Sequence, residues 1–139
     1  MKPVVQLERT GCGIASVAAL AGVSYQAARK TAARLGISAR DRRLWSDTTY
    51  VRRLLRCYRL RALPSERPFV SWSGLPPRAL LALKWRRARG RAIWHWVVFV
   101  RDDRSMYVLD SGALLKRHVR RDFCRMKPKW FIPVTTSSM

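Results

Sequence analysis

Acidic residues are scarce in this chain. Its 139 residues hold eight Asp and Glu against 29 Lys and Arg, a formal net charge of +21. Such a surface repels basic partners and draws polyanions, anionic membranes or acidic proteins. Lysine is scarce too. It stands at six positions (Lys2, Lys30, Lys84, Lys116, Lys127 and Lys129), leaving 23 arginines. Arginine in place of lysine also follows from GC-rich coding with no partner behind it, and both readings stand. Cysteine is limited to Cys12, Cys57 and Cys124, no CxxC occurs, and His95 and His118 stand alone. A disulfide framework and a zinc site of ordinary spacing are therefore poor readings. Free thiols suit a reducing compartment. No apolar run reaches the roughly 18–20 residues that cross a bilayer. Met1 to Val5 is too short for the apolar core of a secretory signal, and no small-residue cleavage site follows. A cytoplasmic protein without an integral membrane segment is expected, with export independent of a signal peptide left open.

Repeats and low-complexity linkers are missing as well. Pro64, Pro68, Pro76 and Pro77 punctuate the middle without separating segments of different composition. Residues 1–139 read as one domain. With 48% hydrophobic residues it is long enough to enclose a core.

The first half reads as helices. Ile14, Val17, Ala18 and Ala21 fall at helical spacing in a segment from Cys12 to Ala21 that Gly22 closes. Ser24 suits the N-cap of a second helix, Tyr25 to Leu35, ended by Gly36. A third starts near Ser46 or Asp47. Tyr50, Val51, Leu54, Leu55 and Tyr58 form its apolar stripe, and Arg52, Arg53 and Arg56 its wet side. The second half reads as strands over Leu60–Leu63, Leu80–Trp85 and Arg91–Val100. A turn at Asp102–Ser105 joins the last to a hairpin partner, Met106–Asp110. Trp130–Val134 closes the set, with Pro133 placing it at an edge. Helices first and antiparallel strands afterwards predict an α+β fold.

Two segments carry candidate chemistry. Gln6-Leu7-Glu8-Arg9-Thr10-Gly11-Cys12-Gly13 runs into the first helix. A thiol at a helix N-terminus meets unpaired N–H groups and the positive end of the macrodipole, which favour thiolate, the nucleophilic form. Gly11 and Gly13 would let substrate and backbone approach closely. The competing reading is a small apolar cysteine in the core. The second segment, Trp94-His95-Trp96-Val97-Val98-Phe99-Val100, sets an imidazole in an apolar strand. A satisfied core histidine is the bland reading. The hairpin, however, brings Asp110 within reach, where its carboxylate could accept the Nδ1–H of His95. Asp110 could instead cap the turn at Ser111-Gly112. Trp94, Trp96 and Trp72 are candidate groove residues. His118 looks solvated, and Cys57 and Cys124 look like packing residues. Lys84 to Arg91 is the densest basic cluster and matches no nucleic-acid motif.

The ordered set Gln6, Cys12-Gly13 at a helix start, His95-Trp96-Val97-Val98 and Val108-Leu109-Asp110 resembles the bacteriocin-processing, double-glycine cysteine peptidase family. The likeness extends over most of the chain, weakly between the motifs. It implies a compact papain-like fold, helices packed on an antiparallel sheet. It also implies a Gln6 donor at the oxyanion hole, Cys12 as nucleophile, His95 as base and Asp110 orienting it. Gly11, Gly13, Trp94 and Trp96 would then contact substrate. Metal and cofactor are not required. Without membrane helices or an ATPase, the chain resembles the stand-alone members. Gly11 stands where the family usually has an acidic residue. The expected partner is a peptide or protein substrate. An acidic protein or nucleic acid on the basic surface is an alternative, with no turnover, as is an effector that transfers the acyl group to an amine.

Overall fold

The computed structural model describes residues 1–136. Three helices come first: α1 (Cys12–Ala21), α2 (Tyr25–Arg34) and α3 (Thr49–Cys57), with a 3-10 turn over Arg42–Ser46 before α3. Seven strands follow: β1 (Leu60–Ala62), β2 (Arg67–Pro68), β3 (Arg78–Ala88), β4 (Arg91–Arg101), β5 (Met106–Leu109), β6 (Val119–Arg120) and β7 (Trp130–Thr136). They pair antiparallel in the order β1-β7-β3-β4-β5-β6, with β2 also on β7.

Local chemistry accounts for the helices. Gly22 ends α1 at φ 72, in the left-handed conformation that a C-terminal glycine adopts without steric cost. The Ser24 hydroxyl accepts from the Ala27 N–H at 3.1 Å and caps α2. The Asp47 carboxylate accepts from the Thr49 N–H at 2.8 Å and starts α3. Tyr50, Val51, Leu54 and Leu55 are its buried stripe. Arg52, expected to be wet, is half-buried, because it reaches the Leu63 carbonyl and Glu66.

The sheet has two apolar faces. Alternation along β4 sends Trp94, Trp96, Val98 and Val100 into the core beneath the helices, and Val97 and Phe99 into a second core. The helical face covers α1, whose residues from Cys12 to Ala19 are all buried. The other face is roofed by Phe69, Trp72, Leu75, Phe123 and Met126. Trp72 belongs to this roof, packed against Phe69, Phe99 and Phe123 with ring centroids 4.8–6.0 Å apart.

Two features differ from expectation. β7 is not an edge: β3 pairs on one side and β1 and β2 on the other. Pro133 is tolerated because its position opposite Leu63 falls between those two short ladders. Its carbonyl still accepts from the Leu63 N–H at 2.9 Å, and only the missing donor goes unused. Second, β3 and β4 slip register between Leu83 and Arg86. Two residues, Lys84 and Trp85, oppose Trp94 alone, and Lys84 takes φ 53. This β-bulge lies beside His95.

Candidate active site

The chain brings three segments to one end of α1. Residues 6–11 form the first. Both amide hydrogens of Gln6 are donated to its own turn, to the Glu8 and Arg9 carbonyls at 3.0 and 3.1 Å. Its Oε1 accepts from the Ser111 hydroxyl at 2.8 Å. Glu8 anchors the turn to α2, accepting from the Tyr25 hydroxyl and from Arg29 Nη1 at 2.7 Å. Burial opposes the Glu8 charge, but these two partners hold its carboxyl below the usual range. Thr10 donates to the Ala39 carbonyl. The turn thus delivers Cys12 as the first residue of α1, with a side chain 1% exposed.

The second segment is β4. His95 Nε2 donates to Asp110 Oδ1 at 2.7 Å. Geometry here differs from the expected Nδ1 contact: the far nitrogen, Nε2, faces the carboxylate. Burial disfavours the imidazolium. Hydrogen bonds to Asp110 and Cys12, and the charges of both, outweigh that and raise the His95 pKa to about 9.

The third segment runs from Asp110 to Arg120. Asp110 is 2% exposed and collects several donors. The Gly112 N–H shares Oδ1 at 3.1 Å, and Arg120 Nη1 donates to Oδ2 at 2.9 Å. Burial alone would raise the Asp110 pKa; His95, Gly112 and Arg120 together lower it to about 2. Asp110 therefore does both things the sequence offered, meeting the histidine and capping the turn. His118, expected to be solvated, is half-buried and pins the Asp110 backbone. Its Nδ1 donates to the Asp110 carbonyl, and its own carbonyl accepts from the Asp110 N–H, both at 2.8 Å.

Gln6, His95 and Asp110 line an open groove of about 440 Å³, together with Lys84, Trp45 and Leu114. Gln6 differs from expectation in having both N–H groups engaged; an oxyanion could take one only by displacing a backbone carbonyl. The glycines also differ. A Cβ on Gly11 would stand 2.1 Å from the Tyr25 hydroxyl oxygen, and one on Gly13 1.9 Å from that of Tyr50. Both glycines are buried and make room for tyrosines, not for substrate. Trp94 and Trp96 are likewise core residues, 7% and 0% exposed. They pack edge-on with Trp130 at centroid distances of 5.0–5.6 Å. The tryptophan on the groove is Trp45. Cys57 and Cys124 are exposed, not packed.

Sequence reasoning missed Arg120, Ser111, Lys84 and Trp45. An arginine among 23 carries no signal of its own, and Lys84 reaches the groove only because the strand bulges there. Three buried polar atoms in the core beneath the helices lack hydrogen-bond partners among the described residues. The Tyr50 hydroxyl is buried beside Gly13 with no hydrogen-bond partner among the described residues, as are the indole N–H groups of Trp94 and Trp96. Burial, and then the charge of Cys12, push the Tyr50 pKa well above that of an ordinary phenol.

These elements make a mixed fold of helices and an antiparallel sheet, like that of a solved protease domain. A crystal structure of a double-glycine-motif protease from an AMS/PCAT transporter, solved with its leader peptide, is similar to this chain. The TM-score is 0.63 at 18% identity, over 98% of this chain and 91% of that one. No family model matches the chain, and no curated protein matches it in sequence. Among the described residues, no helix is long and apolar enough to cross a membrane.

Proposed function

We propose that the protein is a cysteine peptidase that hydrolyses a peptide or protein substrate. One observation carries the reading. His95 is held by a buried carboxylate on Nε2, and Cys12, the first residue of α1, stands close enough to help raise its pKa. The likeness to a protease solved with a leader peptide supports a peptide substrate.

In this mechanism the Cys12 thiolate attacks the acyl carbon and a C–S bond forms. Imidazolium at His95 gives its proton to the leaving amine as the C–N bond breaks, leaving a thioester. Water then loses a proton to His95 and attacks the acyl carbon. The C–S bond breaks, the carboxylic acid product leaves, and the Cys12 thiolate and His95 imidazolium are restored. Asp110 holds the ring and its charge without taking the proton. The Cys12 N–H serves the oxyanion, and Gln6 Nε2 joins it by exchanging one of its two carbonyl acceptors. One such donor is worth about 3 kcal/mol in the transition state.

The test is the thioester itself. A pool of peptides is incubated with the wild-type protein, with Cys12→Ala and with His95→Gln, and products and the acylated enzyme are read by mass spectrometry. Peptides cleaved by the wild type alone, with an acyl group trapped on Cys12, support the reading; cleavage surviving in Cys12→Ala overturns it. The 1% exposure of Cys12 favours one rival, a binding module without turnover. That rival predicts peptide capture by all three proteins and no products.

A further inference from the structure

We propose that the groove is the middle of a longer trough that selects peptides with Asp and Glu on both flanks of an uncharged centre. The idea rests on the peptidase reading for the fate of the peptide, and on the trough alone for its capture. The groove shares Lys84 with one hollow of about 540 Å³, and Leu7, Glu8, Arg9 and Trp45 with another of about 640 Å³. Both arms have the same make-up, a half-buried tryptophan among cations. On the first, Lys129 Nζ sits 4.7 Å from the centroid of Trp85, and Lys84, Arg125 and Lys127 line the hollow. On the second, Trp45 is joined by Arg9, Arg40 and Arg42. Between them the lining turns apolar at Leu7, Leu114 and Leu115.

The carboxylates along this path are already neutralised. Glu8 pairs with Arg29 at 2.7 Å, and Asp110 with His95 and Arg120. The cations differ: among the described residues, none of Lys84, Lys127, Lys129, Arg40 or Arg42 has a carboxylate in ion-pair range. Coding bias accounts for abundant arginine. It does not gather three of the six lysines in the lining of one hollow. The fold also holds Lys84 at φ 53, a conformation that costs a non-glycine residue energy, to set it where groove and hollow meet. Carboxylates recognised by unpaired ammonium and guanidinium groups satisfy both arms. A polynucleotide would satisfy the charge, but it offers no acyl carbon for the hydrolysis that the peptidase reading requires.

Binding is measured by fluorescence anisotropy on Cys12→Ala protein, so turnover is not needed. The probe is a labelled peptide of about ten residues, with Glu on both flanks of an Ala-Gly centre, and its Gln counterpart. The Glu peptide should bind about tenfold tighter, and the gap should shrink with salt. Lys84→Glu/Lys129→Glu and, separately, Arg40→Glu/Arg42→Glu should each cost about tenfold. Arg34→Glu/Arg56→Glu, outside the trough, should stay within about twofold. Equal binding of the Glu and Gln peptides overturns the proposal. So does an equal loss in the Arg34/Arg56 variant, or single-stranded DNA that binds tighter than the Glu peptide and is lost with the same trough variants. A Glu peptide that binds as expected, while the wild type cleaves nothing, refutes the peptidase reading and leaves this one standing.

Discussion

The two segments that flank the groove are built on different physics. Residues 6–11 are shaped by backbone carbonyls, absent Cβ atoms and one anchored carboxylate. Residues 110–120 are shaped by charge: one buried carboxylate gathers an imidazole, a guanidinium and a backbone N–H. The first fixes where the thiol stands. The second fixes how the imidazole is oriented and how long it stays protonated. A site divided this way responds to steric change at one margin and to pH at the other.

The sharpest way to probe the division is to remove the group each segment delivers. Cys12→Ala and His95→Ala should each lower kcat/KM by at least about a thousandfold, as for groups acting as a unit. Because Cys57 and Cys124 are exposed, thiol reactivity is best read in a Cys57→Ser/Cys124→Ser background. There, alkylation of Cys12 should slow sharply on adding His95→Ala. Unchanged alkylation would break the link between the two segments.

Next in size are steric effects confined to the first segment. Gly13→Ala drives a methyl into the Tyr50 hydroxyl and should destabilise by about 1–3 kcal/mol, measured by denaturant melts. Tyr50→Phe removes a buried oxygen with no hydrogen-bond partner among the described residues, so it should be near neutral alone and should recover part of the Gly13→Ala loss. Additive effects would mean the clash is relieved elsewhere.

Charge effects belong to the second segment. Arg120→Gln removes a cation from Asp110, leaving more of the carboxylate's field to His95. The His95 pKa should move up from about 9, carrying the alkaline limb of the pH–rate profile with it. A limb that moves down, or stays, would remove Arg120 from the positioning of His95.

The smallest expected effect is on stability. The folded His95 pKa lies above its unfolded value, so its contribution is complete below pH 6.5 and is lost as pH rises towards about 9. Asp110, depressed to about 2, contributes above pH 4 and loses that contribution only as pH falls through its folded value. Melting temperature should therefore drift downward between pH 6.5 and 9 in the wild type, with a smaller drift in His95→Gln.

How far the sequence disclosed this arrangement follows from the range of the interactions. α1 to α3 were legible because caps and apolar stripes are local. Hairpin register brought His95 and Asp110 together on paper as it does in the fold. Two-residue strands such as β2 and β6 show no alternation, so the contacts of His118 and Arg120 with Asp110 could not be read. The tryptophans were assigned to a groove because a large aromatic beside a histidine suggests recognition; burial assigns Trp94 and Trp96 to the core instead. Pro133 suggested an edge because a missing donor is visible in sequence, whereas the gap that accommodates it is not. The choice of Nε2 over Nδ1 depends on ring orientation, which no spacing encodes.

The extra residue at Lys84 makes chain length at that point unusually consequential. Deleting one residue there would let β3 run straight against β4, with Arg86, Arg87 and Ala88 keeping Ile93, Ala92 and Arg91 as partners and so keeping their faces. Lys84 and Trp85 could then no longer both stand opposite Trp94, so either the ammonium on the groove or the indole beside Lys129 would be lost. A deletion in the Asp102–Ser105 turn shortens a connection that already lies in solvent. The same loss of a single codon would be a nuisance at one end of β4 and the loss of a groove cation or its neighbouring indole at the other.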